Sequence, residues 1–128
     1  MFLPDSVVHA ALAEVTSVTR WCGLSTTEPV LQADGTYTNV TEPTVASYAR
    51  VQVDPSAWST PADRFTQCDV VFPDPVDDLG VAVAWVHFDA VTGGTADLAG
   101  EFASAKDLPP GESDVTVSCR IEAPDTDY

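Results

Sequence analysis

The sequence predicts a mainly β fold: an antiparallel β-sandwich or flattened barrel with one short N-terminal helix. Three observations carry this expectation. Apolar and polar residues alternate over short runs at 48–53, 67–72 and 115–121, which is the two-residue period of a half-buried strand. Ten prolines and the turn pairs Asp34-Gly35 and Gly93-Gly94 punctuate the chain. Helical spacing is confined to the start, where Val8, Ala11, Leu12 and Val15 share one face.

The elements follow in order. Residues 1–18 form a helical segment, which Asp5 or Ser6 can cap by accepting from a free backbone N–H. Its apolar face is short, so it packs on a sheet or on a neighbouring subunit. Residues 19–24 (TRWCGL) read as a strand. The Thr- and Pro-rich stretch after them is a long excursion that turns at Asp34-Gly35, and loops of that length are often interaction elements. In residues 48–53 (YARVQV), Ala49, Val51 and Val53 face the core and Tyr48, Arg50 and Gln52 face out. A loop with Pro55 and Pro61 leads to a strand at 67–72, with Cys68, Val70 and Phe72 on one face.

Residues 81–88 are the most apolar run and suit a central strand covered on both faces. Residues 95–102 return across Gly93-Gly94, whose missing side chains permit the positive φ of a tight reversal. Asp89 shapes that turn by accepting from backbone N–H groups. A loop follows from residue 103, and the last strand places Val115, Val117, Cys119 and Ile121 on one face. Residues 122–128 are an acidic tail, and the whole chain, 1–128, reads as a single β-rich domain.

Charge excludes whole classes of partner. Twenty acidic residues against Arg20, Arg50, Arg64, Lys106 and Arg120 give a net charge of -15. Nucleic acid and anionic membrane surfaces are repelled, because both require clustered Lys and Arg. The start of the chain lacks the basic residues of a secretory signal, and no run is long and apolar enough for a membrane span.

Little here points to catalysis, a cofactor or a metal. Cys22, Cys68 and Cys119 are odd in number and widely spaced, which argues against a disulfide framework or zinc site. They read as small buried hydrophobes, with pairing across adjacent strands left open. His87 sits in an apolar strand with no catalytic partner nearby in sequence. The acids Asp69, Asp74, Asp77 and Asp78 lack calcium-loop spacing and are interrupted by Pro73 and Pro75. Asn39-Val40-Thr41 matches a glycosylation acceptor by chance, given no secretory signal. Trp21 and Trp85 read as core. Trp58, beside two loop prolines, reads as a rigid aromatic anchor on a contact surface.

The order of motifs resembles a known family. The matching residues are Gly23-Leu24, Pro29, Tyr48-Ala49-Arg50, Phe72-Pro73, Gly80, Phe88-Asp89-Ala90, Thr92-Gly93-Gly94, Gly100, Lys106 and Gly111. Together they resemble small structural proteins of long-tailed phages, labelled tail-fibre-like or head-decoration-like. The resemblance implies a non-enzymatic virion protein and carries over no catalytic residue. Small size and the lack of a fibrous repeat favour a head-decoration protein on the outer capsid. The alternative is a tail-fibre or tail-tip component that binds a host surface glycan. Expected partners are the major capsid protein or other virion proteins, with copies arranged around a symmetry axis. The expected interface residues are Val8, Leu12, Pro29, Tyr37, Trp58 and Pro61.

Overall fold

A computed structural model of the chain describes residues 4–59, 65–73, 78–109 and 115–122. Helix α1 (Asp5–Val15) precedes eight strands: β1 (Arg20–Ser25), β2 (Val30–Leu31), β3 (Tyr37–Thr38), β4 (Val51–Val53), β5 (Phe65–Phe72), β6 (Gly80–Phe88), β7 (Ala96–Leu108) and β8 (Val115–Glu122). A four-stranded sheet runs in the order β4-β1-β6-β7, while β5-β8 and β2-β3 form separate pairs. All pairings are antiparallel. The sheets stay open, so the sandwich describes the fold and the flattened barrel does not.

The alternation expected at β5 and β8 is observed. Thr66, Cys68, Val70 and Phe72 are buried on one side of β5, and Val117 and Cys119 on the same side of β8. These side chains pack with Cys22, Leu24 and Trp85 of the larger sheet, forming the main core between the two layers. A smaller cluster of Val86, Phe88 and Ala96 lies on the other face, covered by Tyr37 and Val40. Thus residues 84–88 of β6 are buried on both faces, which explains their continuous apolar run.

Helix α1 resolves the choice between sheet and neighbour. Val8 and Leu12 are 2% and 5% exposed, and the helix packs against β5. Pro4 stands at its N-cap and supplies no side-chain cap; its carbonyl instead accepts from Val7 and Val8 N–H. Asp5 is already helical, so the expected cap position shifts by one residue or more. At the other end, the Arg20 guanidinium donates to the Val15 carbonyl, which suits the negative end of a helix. Arg20 also pairs with Asp97 at 3.0 Å, tying the helix end to β7.

Two strand expectations need correction. Only residues 51–53 of the YARVQV run enter a sheet, and Ala49 is exposed. Tyr48 and Arg50 turn inward instead, to the partners described below, while Gln52 faces solvent as expected. β7 extends to Leu108, through the stretch expected to be a loop. Its pairing with β6 breaks between Ala82–Lys106 and Ala84–Glu101, so residues 102–105 bulge out and the ladder then resumes. Leu108, 3% exposed, and the Leu79 N–H bond to its carbonyl draw the strand back.

Candidate interaction surface

The excursion after β1 is a built arm. At its neck, Thr26 N–H donates to the Thr41 carbonyl at 2.8 Å and Thr27 Oγ1 donates to the Asn39 carbonyl at 2.6 Å. Asn39 Nδ2 reaches back to the Glu28 carbonyl at 2.8 Å. Beyond the neck, β2 and β3 pair as Val30–Thr38 and Leu31–Tyr37. The expected turn is present: Gly35 has φ +86, and Asp34 Oδ1 accepts from Thr36 N–H and Oγ1–H.

Part of the arm packs on the core and part of it is exposed. Tyr37 and Val40 pack on the smaller apolar cluster. Val30 and Leu31 face solvent at 48% and 61% exposure. Pro29 and Tyr37 share a hollow of about 210 Å³ with Ala99, Gly100 and Glu101 of β7. Glu101 also lies against Glu28: a hydrogen bond between the two carboxyls, which needs a proton on one of them, and then the Glu28 charge hold the pKa of Glu101 above its ordinary value. The arm therefore combines apolar side chains with crowded carboxylates.

A polar knot fixes the arm's base to the hairpin turn. Tyr48 O–H donates to Glu42 Oε2 at 2.5 Å and accepts from Leu24 N–H at 3.0 Å. Burial first, then the bond to Glu42, pushes the Tyr48 phenol well above its ordinary range, so it stays a donor. Arg50 pairs with Glu42 at 2.7 Å and donates to the carbonyls of Ala90 and Gly93 at 2.8 and 2.7 Å. Its guanidinium lies 3.4 Å over the Phe88 ring centre. The turn closes as expected: Asp89 Oδ1 accepts from Thr95 N–H at 2.7 Å, and Gly93 and Gly94 take φ +63 and +72.

A second cluster lies between the sheets. Cys22 and His87 are directly paired across β1 and β6; Cys68 and Cys119 are directly paired across β5 and β8. The two pairs face each other. Cys22 Sγ is 4.0 Å from Cys119 Sγ, and His87 Nε2 is 3.4 Å from that same sulfur. Cys22, His87 and Cys119 offer ligand atoms all within 4.8 Å of one another. The three cysteines are free thiols. A hydrogen bond with Cys119, then burial, raises the Cys68 thiol pKa far above its usual range, and the bond with Cys22 does the same at Cys119. Burial, then the Arg20 charge, pushes His87 down to about 4, so the imidazole is neutral at neutral pH.

The expected interface residues divide. Pro29 and Tyr37 lie on the arm, both half-buried. Val8 and Leu12 are covered by the chain's own β5, and Trp58 is 8% exposed, so none of these three presents an outer surface. Trp58 is drawn in by its neighbours: Ser59 N–H bonds the Gln67 carbonyl, and Thr66 Oγ1 donates to the Ser59 carbonyl at 2.7 Å. That staples the segment to β5 and carries the indole to 5.5 Å from the His87 ring. Pro61 lies outside the described residues. Trp85 is core as expected, whereas Trp21 is half-buried.

Of the acidic run, Asp78 accepts from Gly80 N–H and Asp69 from Ser118 Oγ, while Asp74 and Asp77 lie outside the described residues. Sequence reasoning missed Val30 and Leu31, although both sit in the excursion it singled out. It also missed the inward role of Arg50, which the two-residue period assigned to solvent. Among the described residues, no helix is long and apolar enough to cross a membrane.

Residues 7–120 match the family model described as Gp80, podophage GP4 fiber I protein gp80. The match spans every motif on which the resemblance rests, and it names a podophage fibre protein in place of the long-tailed phages of that resemblance. No curated protein matches the chain.

Proposed function

The chain belongs to the Gp80 family, podophage GP4 fiber I protein gp80, and from that premise we propose that it is a non-enzymatic subunit of a tail fibre, docking on another virion protein through the β2–β3 arm. That it is a phage structural protein of fibre type, and so a virion component, follows from the family. The position on the tail and the docking face are our reading. The observation that carries it is the exposure of β2, whose adjacent residues Leu31 and Val30, on opposite faces of the hairpin, are 61% and 48% exposed. Large apolar side chains held outward on a laced hairpin favour a protein partner.

Charge narrows the partner. Glu28, two residues before Val30, crowds against Glu101 on a chain of net charge -15. A facing surface with Lys or Arg around an apolar patch would relieve that repulsion. Trp58, expected as the aromatic anchor of a contact surface, is buried at 8% exposure, which leaves the exposed apolar residues of the arm as the better-supported docking surface. The family description also favours fibre over head decoration.

The test is a Leu31→Asp phage. The purified variant should keep its melting temperature, because Leu31 is exposed, yet fail to enter virions by mass spectrometry. Normal incorporation would refute docking through the arm. Gold labelling of parent virions should mark the tail fibres; label confined to the head would refute the fibre position and favour the decoration alternative.

A further inference from the structure

All three cysteines of the chain and one of its two histidines meet in one buried place. Their arrangement is that of two cross-strand pairs on facing sheets, Cys22–His87 and Cys68–Cys119. Each pair presents two side chains toward the other, which is how four ligands can surround a point between two layers.

The distances match a specific metal geometry. Tetrahedral zinc with Zn–S of about 2.3 Å and Zn–N of about 2.0 Å has ligand-to-ligand edges of about 3.8 Å for sulfur–sulfur and about 3.6 Å for sulfur–nitrogen. The observed edges are 4.0 Å for Cys22–Cys119 and 3.4 Å for His87–Cys119. His87 is 0% exposed, its Nδ1 has no hydrogen-bond partner among the described residues, and its Nε2 faces a thiol. Thiols are weak hydrogen-bond partners and imidazole is a strong ligand, so the group is better served by a soft metal than by its neighbours.

We propose that Cys22, His87 and Cys119, with Cys68 as the fourth ligand after a side-chain rotation, form a structural zinc site that joins the two sheets. Cys68 is 2% exposed and its thiol is hydrogen-bonded with Cys119, so it is the donor at hand where water is excluded. His87 binds as neutral imidazole. Each coordinating thiol gives its proton to solvent, so zinc uptake releases one proton per thiol and weakens as pH falls. The metal cross-links β1 and β6 to β5 and β8, adding a bond where the two layers otherwise meet through side-chain packing.

The full chain, purified reduced from cells grown with zinc, should contain one zinc per chain by elemental analysis. Cobalt(II) added to the stripped protein should give the intense visible bands of a tetrahedral site and a thiolate charge-transfer band. Cys119→Ser should lower zinc affinity by more than about a hundredfold, beyond what an outer partner alone costs. Cys68→Ser should lower it less while keeping the cobalt bands, shifted. Because the core variants can fail to fold, the cobalt titration of the unmodified chain decides. A folded, reduced protein that takes up neither metal overturns the proposal. So does a Cys22–Cys119 or Cys68–Cys119 disulfide found by mass spectrometry in protein isolated without oxidant.

Discussion

Arg50 is the residue whose removal should do most harm outside the main core. Its side chain is 8% exposed and that of its partner Glu42 is 22% exposed. Arg50→Ala deletes the 2.7 Å ion pair, two bonds to the turn carbonyls of Ala90 and Gly93, and the stack on Phe88. Breaking a buried pair costs roughly 3–5 kcal/mol, because the remaining charge is left without a partner. Glu42 keeps some contact with water and retains the Tyr48 O–H, so the low end applies, about 3 kcal/mol. For a chain of 128 residues this is a fall of about 10 °C in melting temperature.

Thermal and urea unfolding, followed by circular dichroism, measure the loss. Arg50→Lys keeps the charge but not the planar fork that serves Glu42 and two carbonyls at once, so it should recover only about half. An Arg50→Ala and Glu42→Gln double-mutant cycle should show coupling above about 1 kcal/mol. If Arg50→Ala falls within about 0.5 kcal/mol of the parent, as an ordinary surface change would, or if Lys restores full stability, the knot is not what holds the turn.

Further outcomes test the hairpin. Gly93→Ala and Gly94→Ala both place a side chain at positive φ, which costs about 1–2 kcal/mol. Only at Gly94 does the new Cβ collide with Asp89 Oδ1 and Ala90, so it should lose at least about 1 kcal/mol more than Gly93→Ala in urea unfolding; equal losses would refute the Asp89 contact. Gly100→Ala drives a Cβ into the indole of Trp85, its pairing partner, and should cost about 1–3 kcal/mol with a shifted Trp fluorescence maximum; an unchanged spectrum and stability would count against that close approach.

The resemblance to virion structural proteins rested on short motifs, and the structure gives those motifs physical work. Arg50 of Tyr48-Ala49-Arg50 grips the turn, Asp89 bonds Thr95, and Gly100 makes room for Trp85. Local residue type was enough to locate them. Their mutual contacts were not legible, because Arg50 and Gly93 are 43 residues apart and nothing in spacing links them. The same holds for Trp58. Two flanking prolines suggested an exposed anchor, yet the side chain turns inward because the Ser59 bonds to β5 fix the backbone beneath it.

By itself the sequence determined the period-two strands at β5 and β8, the reversal at Gly93-Gly94 and the doubly covered β6. These are properties of neighbouring residues, readable without coordinates. Only the tertiary structure decided which polar residues turn inward and which cysteines meet. Register sets Cys22 beside His87 and Cys68 beside Cys119, and sheet packing then brings the pairs within reach. Wide spacing in sequence argued against a metal site, but the packing of the two sheets brings Cys22 and Cys119, 97 positions apart, to 4.0 Å. Distance along the chain does not limit contact across a sandwich, and that is why the most chemically distinctive place in this molecule was hidden in its sequence.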